Sequence, residues 1–550
     1  MSFGDLLDQI GGMGRYQYLQ VIMLAVPLLT MASHHLLQNF TAAIPDHHCK
    51  VNAVENDTRW TNSTLGSLEV LRAFVPLDGK QKPEKCLRYT TGHWGYVNPN
   101  AMEDNATRAH LEPCLDGWIY DPSEFASTII TEWDLVCDLQ QMGQMAQSIY
   151  MSGMLVGSVT YGVLSDRYGR RIVIILGYLQ IALAGSCAAF SPNYIFYCIF
   201  RFLTGMGLAA IGLNAISLML EWIPSHLRAT VMSIHGYCYS VGQISLGGVA
   251  YAIRDWRWLQ LGVSLPYFIC FLYSWWFAES ARWQIIAGKT EAALGTLQRV
   301  AKINGKGEEG EKITLEILKC SMQQEMASVK SSYNAVDLVR TPAVRRISFC
   351  VAFLWFSTGF SYYGIAMDLQ NFGVSVYLVQ VIFGLVDIPA KSFCALAMTY
   401  MGRKGTQAGS LILAGIAILV NIFIPPEQQA LRTSLAVLGK GCLASSFLCV
   451  TLYTGELYPT VIRQTGMGLG GTMSRGGSIV APLVMITSKY FNFLPSILYG
   501  SAAFLSGISV CCLPETRNIP LPETMKDVKS RTNVSEKDQR ENVPLRSTDV

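Results

Sequence analysis

Charged residues are scarce in this chain. Asp, Glu, Lys and Arg make up 15% of its 550 residues, whereas soluble globular domains carry about 25%. Hydrophobic residues make up 51%, and the mean hydropathy is +0.29. This composition excludes an ordinary soluble protein and predicts a chain that crosses the lipid bilayer several times. The net charge of +3 is small and no nucleic-acid-binding module is recognisable, so we expect no nucleic-acid partner.

Signals for processing, metal binding and catalysis are also missing. The N-terminal segment lacks the basic start, apolar centre and cleavage site of a signal peptide, which predicts a retained, cytoplasmic N-terminus. The cysteines show no metal-ligand spacing, and the sequence contains no ATP-binding motif or catalytic constellation. We therefore expect no enzyme activity, no metal and no cofactor, with chloride as the one co-bound ion to consider.

Long apolar runs are what the sequence has in abundance. Twelve of them are long enough to cross a hydrocarbon layer of roughly 30 Å. They lie at 18–38, 142–162, 172–190, 195–220, 230–252, 258–277, 347–366, 376–398, 407–424, 433–454, 466–487 and 495–513. We predict an all-α membrane protein of twelve helices in two six-helix halves. Its parts are a cytoplasmic N-terminus (1–17), a six-helix bundle (18–277) with an extracellular loop (41–138), a cytoplasmic helical linker (278–345), a second six-helix bundle (346–514) and a disordered cytoplasmic tail (515–550).

The 41–138 segment combines cysteines with Asn-X-Ser/Thr sequons. Both features suit the oxidising, extracellular side of a membrane. An even number of cysteines predicts two disulfides, and the sequence leaves all three pairings open. The disulfide candidates are Cys49, Cys86, Cys114 and Cys137, and the glycosylation candidates are Asn56, Asn62 and Asn105.

A short charged loop at 161–171 joins the second and third apolar runs, and we call it the first charged loop. Its three arginines predict a cytoplasmic position, because basic residues concentrate in short cytoplasmic loops. The glycine and two basic residues at the end of this loop recur farther along the chain, at 402–404, which we call the second charged loop. Two other landmarks recur at nearly the same offset of about 235 residues, so we predict duplicated six-helix halves. The three pairs are Gly169-Arg170-Arg171 with Gly402-Arg403-Lys404, Glu221 to Arg228 with Glu456 to Arg463, and Glu279-Ser280 with Glu515-Thr516.

The segment from Gly162 to Arg171 resembles the signature loop of the major facilitator superfamily. Four other stretches resemble solute carrier family 22, and within it the renal-type organic anion transporters: 39–45, 131–137, 279–283 and 458–466. The match covers nearly the whole chain. It implies alternating access by two bundles around a central site, with uptake of organic anions in exchange for an intracellular dicarboxylate such as 2-oxoglutarate.

Ionisable residues at bilayer depth cost roughly 2.5–3.5 kcal/mol each, so each needs a partner or a task. Arg475 has no carboxylate within a helical turn and is available to an anion. A structural arginine satisfied by carbonyls or by another helix is the alternative, and the resemblance favours anion binding. Asp387 lies one turn from Lys391, which predicts a neutralised pair, although the resemblance implies a functional basic residue at 391. We expect Arg201 and Lys440 to be structural.

The resemblance also implies the lining of the central site. Aromatic walls favour flat anions through stacking and apolar burial. Without the resemblance, the aromatic residue at each of the lining positions listed below is better explained by helix packing or interfacial anchoring. The implied lining residues are Asn39, Tyr239, Trp355, Tyr362, Tyr363 and Phe447.

We assign a gate to the charged loops. Asp166 and Arg167 are predicted to dock against Glu456 or Arg463 when the cytoplasmic side is closed, a contact worth up to about 4 kcal/mol near a protein surface. The other gate residues are Arg170, Glu221 and Arg228.

Together these patterns predict a plasma-membrane organic anion transporter with both termini cytoplasmic, in the basolateral membrane of an epithelium. Its expected partners are small organic anions, dicarboxylates and the lipid bilayer, and the ending 548–550 fits peptides that bind PDZ domains. Three alternatives stay open. They are an organic cation transporter, which should carry an acidic residue in place of Arg475, a facilitated carrier of urate or organic anions, and a transport-inactive membrane scaffold.

Overall fold

The computed structural model describes residues 3–51, 71, 74–78, 82–90, 110–224, 227–321, 337–372, 374–425, 427–459, 462–517 and 519. The chain divides into two compact units. Unit 1 comprises Met1–Asn39, Gln144–Tyr251 and Gln260–Val550, and unit 2 comprises Phe40–Gly143 and Ala252–Leu259. The predicted glycosylation residues Asn56, Asn62 and Asn105 and the predicted PDZ ligand at 548–550 lie outside the described residues.

Helices dominate the chain because long apolar runs satisfy their backbone groups internally only as helices when lipid surrounds them. The first part contains α1 (Phe3–Gln9), α2 (Arg15–Leu36), α3 (Gln38–Thr41), α4 (Ile129–Glu132), α5 (Gln141–Tyr168), α6 (Arg170–Ala189), α7 (Tyr194–Trp222), α8 (Arg228–Ala252), α9 (Trp256–Ser264) and α10 (Pro266–Ser274). The predicted linker contains α11 (Ala281–Ile286), α12 (Thr290–Ile303), α13 (Gly307–Glu311) and α14 (Asp337–Arg340). The last part contains α15 (Pro342–Ala366), α16 (Val376–Tyr400), α17 (Gly402–Asn421), α18 (Gln429–Leu457), α19 (Arg463–Met485) and α20 (Leu494–Ser509).

Seven helical segments among the described residues are long and apolar enough to cross a membrane. They contain α2, α6, α7, α15, α16, α18 and α20. The other predicted runs coincide with α5, α8, α9 with α10, α17 and α19, which are helical but shorter or more polar. The helical character of every predicted run is confirmed, and the count of twelve membrane spans stays a prediction.

Helix pairs within unit 1 pack through small residues. The closest neighbours are α6 with α7, α15 with α19, and α17 with both α18 and α20. Gly477 of α19 lies against the backbone of Phe356 in α15, where an added Cβ would overlap the Phe356 carbonyl. Such close approach is how membrane helices gain contact area.

In the predicted linker, the Asn304 amide accepts from the Tyr16 backbone N–H at 2.9 Å and donates to the Ile10 carbonyl at 3.0 Å, which holds the N-terminal segment against α12.

Unit 2 contains short antiparallel strands cross-linked by cysteines. Strand β1 (His47–Cys49) pairs with β4 (Trp118–Tyr120), and β2 (Leu87–Tyr89) pairs with β3 (Leu111–Pro113). The four predicted cysteines form the disulfides Cys49–Cys114 and Cys86–Cys137, one of the three pairings that the sequence allows. Arg88 bonds to Glu112 at 2.8 Å and to Asp116 at 2.5 Å. Burial lowers the pKa of His47 from its usual value, which favours the neutral form of this ring.

Candidate functional site

Arg475 lies in the middle of α19, half-buried among helices of unit 1. Its Nη1 donates a 3.4 Å bond to the Gly471 carbonyl one turn earlier. Its buried Nε has no hydrogen-bond partner among the described residues. The guanidinium interacts electrostatically with His35 of α2 and Tyr363 of α15. The Arg475 guanidinium therefore has an unused hydrogen-bond donor and faces side chains from both the N-terminal and the C-terminal part of the sequence.

Aromatic rings from α15 and α18 form one continuous wall next to this arginine. The Phe447 ring centroid lies 5.1 Å from that of Tyr362 and 6.3 Å from that of Trp355, and Tyr362 lies 5.4 Å from Tyr363. Trp355 is fixed by its indole N–H, which donates to the Thr454 hydroxyl at 3.0 Å. The structure thus brings together the four aromatic residues implied on these two helices, in edge-to-face geometry that stabilises aromatic pairs.

His35 extends the wall to the N-terminal helices, and the sequence analysis missed it. Its Nδ1 lies 3.2 Å from the Tyr239 hydroxyl, and its ring contacts those of Tyr150, Tyr239 and Tyr363. Its Nε2 is buried with no partner among the described residues. The signal available in the sequence was a pair of adjacent histidines, His34 and His35, inside an apolar run.

Lys391 also lies at this wall, and its partners differ from the predicted one. Its ammonium donates to the Gly236 carbonyl at 2.9 Å and to the Ser240 hydroxyl at 2.7 Å, and lies 5.9 Å from the Tyr239 ring centroid. Carbonyl and hydroxyl oxygens bring no counter-charge. Lys391 thus forms no direct ion pair with Asp387, and the prediction that the two would pair is wrong.

Asp387 pairs instead with Lys440, a residue 53 positions away on α18. Both carboxylate oxygens lie 3.2 Å from the Lys440 ammonium, and both side chains are fully buried. Gln243 of α8 donates to the same carboxylate at 2.9 Å, and the Lys440 ammonium lies 3.9 Å from the Tyr362 ring centroid. Removing one partner of such a pair would leave an uncompensated buried charge, which agrees with the structural role expected of Lys440.

Arg201 of α7 is likewise buried completely. Its Nη2 lies 3.4 Å from the His34 carbonyl and 3.4 Å from the Gln147 Oε1, and its guanidinium carbon lies 4.2 Å from the Tyr150 ring centroid. Its Nε and Nη1 are buried with no hydrogen-bond partner among the described residues. The structural role expected of Arg201 therefore stays a prediction.

Asn39 connects the two ends of the sequence. Its amide donates to the Ala366 carbonyl at 2.8 Å, one turn beyond Tyr362 and Tyr363. Ser148 of α5 makes a second connection by donating to the Ile479 carbonyl at 3.0 Å, one turn beyond Arg475. Together with the bond between Gln243 and Asp387, these contacts join N-terminal to C-terminal helices at and beyond the aromatic wall, away from the charged loops.

The predicted gate residues bond within their own sequence halves. Arg170 lies 3.5 Å from Glu221 and 3.7 Å from Asp166, and Arg403 lies 2.9 Å from Glu456. Arg167 lies over the Tyr168 ring, Arg228 donates to the Ile223 carbonyl at 3.3 Å and Arg463 donates to the Tyr458 carbonyl at 3.4 Å. Among the described residues, Asp166 and Arg167 do not contact Glu456 or Arg463 in this structure, and the gate stays a prediction.

Known proteins resemble this chain closely. The sequence profile of the Major Facilitator Superfamily matches residues 126–482. Solute carrier family 22 member 6-A of Xenopus laevis is 55% identical, over 98% of this chain and 96% of its own. Solute carrier family 22 member 6 of Rattus norvegicus is 54% identical, over 97% of this chain and 95% of its own.

Solved structures resemble the fold at much lower identity. The inward-open xylose transporter XylE from E. coli superposes with a TM-score of 0.60 at 15% identity, covering 94% of this chain and 99% of that one. Fold and sequence comparisons agree with a transport protein of the membrane and not with an enzyme. The chain belongs to the Major Facilitator Superfamily and, within it, to solute carrier family 22.

Proposed function

We propose that this protein transports organic anions by alternating access and exchanges extracellular organic anions for an intracellular dicarboxylate such as 2-oxoglutarate. The observation that carries the proposal is the Arg475 guanidinium, which keeps a free donor beside an aromatic wall. A guanidinium grips a carboxylate through two parallel hydrogen bonds, and the wall accepts the flat apolar part of the same molecule.

A second positive charge supports the dicarboxylate part of the proposal. Lys391 is held by a carbonyl and a hydroxyl and not by a carboxylate, so its charge can serve a ligand. Two cations from different helices suit a ligand with two carboxylates, since each carboxylate then has its own partner. The buried donor of Arg475 also fits a small anion, so chloride remains our proposal for a co-bound ion.

Alternating access requires contacts that break. The bonds from Asn39 to Ala366, Ser148 to Ile479 and Gln243 to Asp387 all join N-terminal to C-terminal helices. We propose that these three bonds break when the cytoplasmic end of the transporter closes. Asp166 and Arg167 then reach Glu456 or Arg463. A bound anion lowers the barrier, because it attracts Arg475 of the C-terminal helices toward the N-terminal helices, to which Lys391 is already bonded through Gly236 and Ser240.

Placement in the cell follows from the same proposal. The basic residues of the charged loops favour the cytoplasmic side, which puts both termini inside and the disulfide-bonded unit 2 outside. Glycosylation at Asn56, Asn62 and Asn105, a plasma-membrane location on the basolateral side and a PDZ partner at 548–550 complete the proposal.

The alternative of an organic cation transporter has less support. Arg475 would repel a cation at the wall, and the carboxylate of Asp387 is already bound by Lys440. A facilitated carrier would take up the anion without stimulation by an internal dicarboxylate, and a transport-inactive scaffold would not take it up. Measured uptake therefore distinguishes both from the exchanger.

Uptake into vesicles tests the exchange. Vesicles loaded with 2-oxoglutarate should take up a labelled aromatic carboxylate faster than unloaded vesicles. Arg475→Asp should lower uptake by about 10- to 100-fold, the cost of one to two charge-assisted hydrogen bonds, while Arg432→Met at the start of α18 should transport normally. Equal uptake by loaded and unloaded vesicles would exclude exchange, and normal uptake by Arg475→Asp with normal surface delivery would refute the anion site.

A further inference from the structure

We propose that Arg171, Arg299 and Trp275 form a binding site for the headgroup of an anionic phospholipid, with phosphatidylserine as its representative. Arg171 lies in the first turn of α6, Trp275 directly follows α10, and Arg299 lies on α12 in the predicted linker. All three belong to unit 1. None of them takes part in the anion site proposed at Arg475.

The two arginines meet at the end of α10. The Arg171 Nη2 donates to the Trp275 carbonyl at 2.6 Å. The Arg299 Nη2 lies 3.5 Å from the next carbonyl along the chain, that of Trp276. Both guanidiniums also interact electrostatically with the Tyr16 hydroxyl of α2. Two cationic side chains from distant parts of the sequence are therefore held side by side.

Neither of these guanidiniums has a carboxylate of its own. Within the described part of the chain their hydrogen bonds go to carbonyl oxygens, and the Arg171 Nε is buried without a partner. Glu279 lies close by, but its carboxylate accepts from the backbone N–H groups of Arg170 and Arg171. Carbonyl oxygens carry no net charge. The two arginines therefore outweigh the single carboxylate, and the cluster has positive charge for an anionic ligand.

The helices next to the arginines expose apolar surface. Helix α6 packs against α10, and the exposed apolar residues near this end are Ile172 and Leu176 on α6 and Ile269 and Leu272 on α10. In each helix the two residues are three or four positions apart and so share one face. Trp275, at the end of the α10 face, is 58% exposed. A tryptophan between an apolar face and a polar end is typical of the headgroup level of a bilayer, so acyl chains can lie along these faces while the headgroup meets the arginines.

Charge complementarity selects the lipid. On the orientation proposed above, this end of α6 and α10 faces the cytoplasm, where anionic lipids give the membrane surface a negative potential. A guanidinium binds phosphate oxygens through parallel hydrogen bonds. Phosphatidylcholine offers the same phosphate, but its choline adds a positive charge that the arginines repel. Phosphatidylserine keeps a net negative headgroup and should bind more tightly.

A bound headgroup would join two parts of the transporter. Arg171 belongs to the first charged loop and Arg299 to the predicted linker. One lipid that bonds to both would fasten the linker to that loop at the membrane surface.

The second charged loop supplies the matched control. Lys404 corresponds to Arg171, and its ammonium donates to the Cys511 carbonyl at 2.9 Å as Arg171 donates to the Trp275 carbonyl. A cysteine thus stands where the first half has the tryptophan, and a lysine lacks the planar fork of an arginine. Lys404→Gln removes one basic charge from the corresponding place without touching the proposed site.

Lipid binding to the purified full-length transporter in detergent tests the proposal without measuring transport. Native mass spectrometry counts the bound molecules while phosphatidylserine or phosphatidylcholine is added. The first phosphatidylserine should bind about 5- to 10-fold more tightly than the first phosphatidylcholine. Arg171→Gln and Arg299→Gln should each weaken phosphatidylserine binding about fivefold, the contribution of one basic side chain near an anionic membrane surface. Lys404→Gln should bind it like the wild type.

Two further measurements make the result decisive. Arg299 is exposed, so Arg299→Gln tests the site even where Arg171→Gln fails to assemble, and Arg171→Lys should recover part of the lost affinity because it restores the charge without the fork. Soluble glycerophosphoserine has the same headgroup without acyl chains and should not displace the lipid at equal concentration.

Three results would overturn the lipid site. They are equal affinity for the two lipids, a loss in Lys404→Gln as large as in Arg299→Gln, and displacement of phosphatidylserine by an equal concentration of glycerophosphoserine, which would indicate a site for small anions. Because binding is read without uptake, failure of this site would leave the proposed function unaffected.

Discussion

The two charged loops share one backbone design but differ in how tightly their side chains are bound. In each loop a glycine with positive φ begins a helix, Gly169 at +100° and Gly402 at +85°. In each, a glutamate from beyond the last helix of its sequence half accepts from the backbone N–H groups that follow. Glu279 accepts from Arg170 at 3.1 Å, and Glu515 accepts from Arg403 at 2.9 Å.

The side-chain pairs differ. In the second loop Arg403 places Nη2 2.9 Å and Nε 3.2 Å from one oxygen of Glu456, and the Thr516 hydroxyl donates to the other oxygen at 2.5 Å. In the first loop Arg170 is shared between Glu221 and Asp166 at longer distances, and the second oxygen of Glu221 has no partner among the described residues. The second loop is thus saturated within its half, whereas the first has acceptors left for a new partner.

The largest expected effect tests the shared backbone. In Gly402→Ala the new Cβ would lie 2.6 Å from a Glu515 oxygen, and in Gly169→Ala it would lie 2.8 Å from the Glu279 carboxyl carbon. Both variants also strain φ, so we expect each to lose about 1–3 kcal/mol of stability from backbone strain alone. Thermal unfolding of the purified transporter measures the loss.

Two glycines in the same segments serve as controls for this test. An alanine Cβ at Gly162 or Gly409 meets no atom within 4 Å. Gly162→Ala and Gly409→Ala should therefore unfold at the wild-type temperature or above it. If Gly169→Ala and Gly402→Ala were as stable as these controls, the common backbone design would not matter for stability.

The next largest effect is a difference in stability between variants of the two loops. Glu456→Gln removes a charge that Arg403 contacts twice and should cost about 1.5–3 kcal/mol. Glu221→Gln weakens a longer, single contact and should cost less than about 1 kcal/mol. Unfolding of the two variants under the same conditions measures the difference. Equal losses would mean that the difference in distance between the loops has no energetic weight.

The landmarks of the two loops could be recognised in the sequence because they repeat, whereas the predicted contact between the loops stays a prediction. Gly169, Glu221 and Glu279 have counterparts at nearly the same offset, and in the structure each set of three meets at one place. Residues that are far apart in sequence could be associated because duplication marks both copies. The same argument could not tell which copy is the more tightly bound, since distances depend on packing and on the conformation captured.

The central site was predictable in its members more than in its pairing. The i, i+4 spacing of Asp387 and Lys391 favoured a pair on one helix, but the carboxylate bonds across helices to Lys440. Packing decides between a local and a distant partner, and no local pattern encodes it. His35 was missed for the same reason, because its ring contacts with Tyr239 and Tyr363 arise from helix association.

A smaller effect tests whether the spare acceptors of the first loop act in the transport cycle. Asp166 is 79% exposed, and its counterpart in the second loop is Thr399. Asp166→Asn should slow turnover by up to about fivefold, corresponding to roughly 1 kcal/mol on the closing step, with little change in apparent affinity. Initial uptake rates against substrate concentration separate the two parameters. Thr399→Ala should change neither, and a selective loss of affinity in Asp166→Asn would contradict the gate.

The smallest effect is a pH dependence that belongs to the first loop. Burial raises the pKa of the Glu279 carboxyl above its usual 4.5, although backbone N–H groups of Ser280, Arg171 and Arg170 oppose the shift. A carboxyl whose pKa is higher in the folded state stabilises the fold below its unfolded pKa and loses that contribution as pH rises through the folded value. Acidification from neutral pH toward the usual carboxyl range should therefore stabilise the wild type relative to Glu279→Gln, whose side chain does not titrate. Unfolding temperatures of both proteins across this range give the sign. A difference that stayed constant, or moved against the wild type on acidification, would mean that the backbone donors outweigh burial and that the first loop holds its glutamate fully ionised.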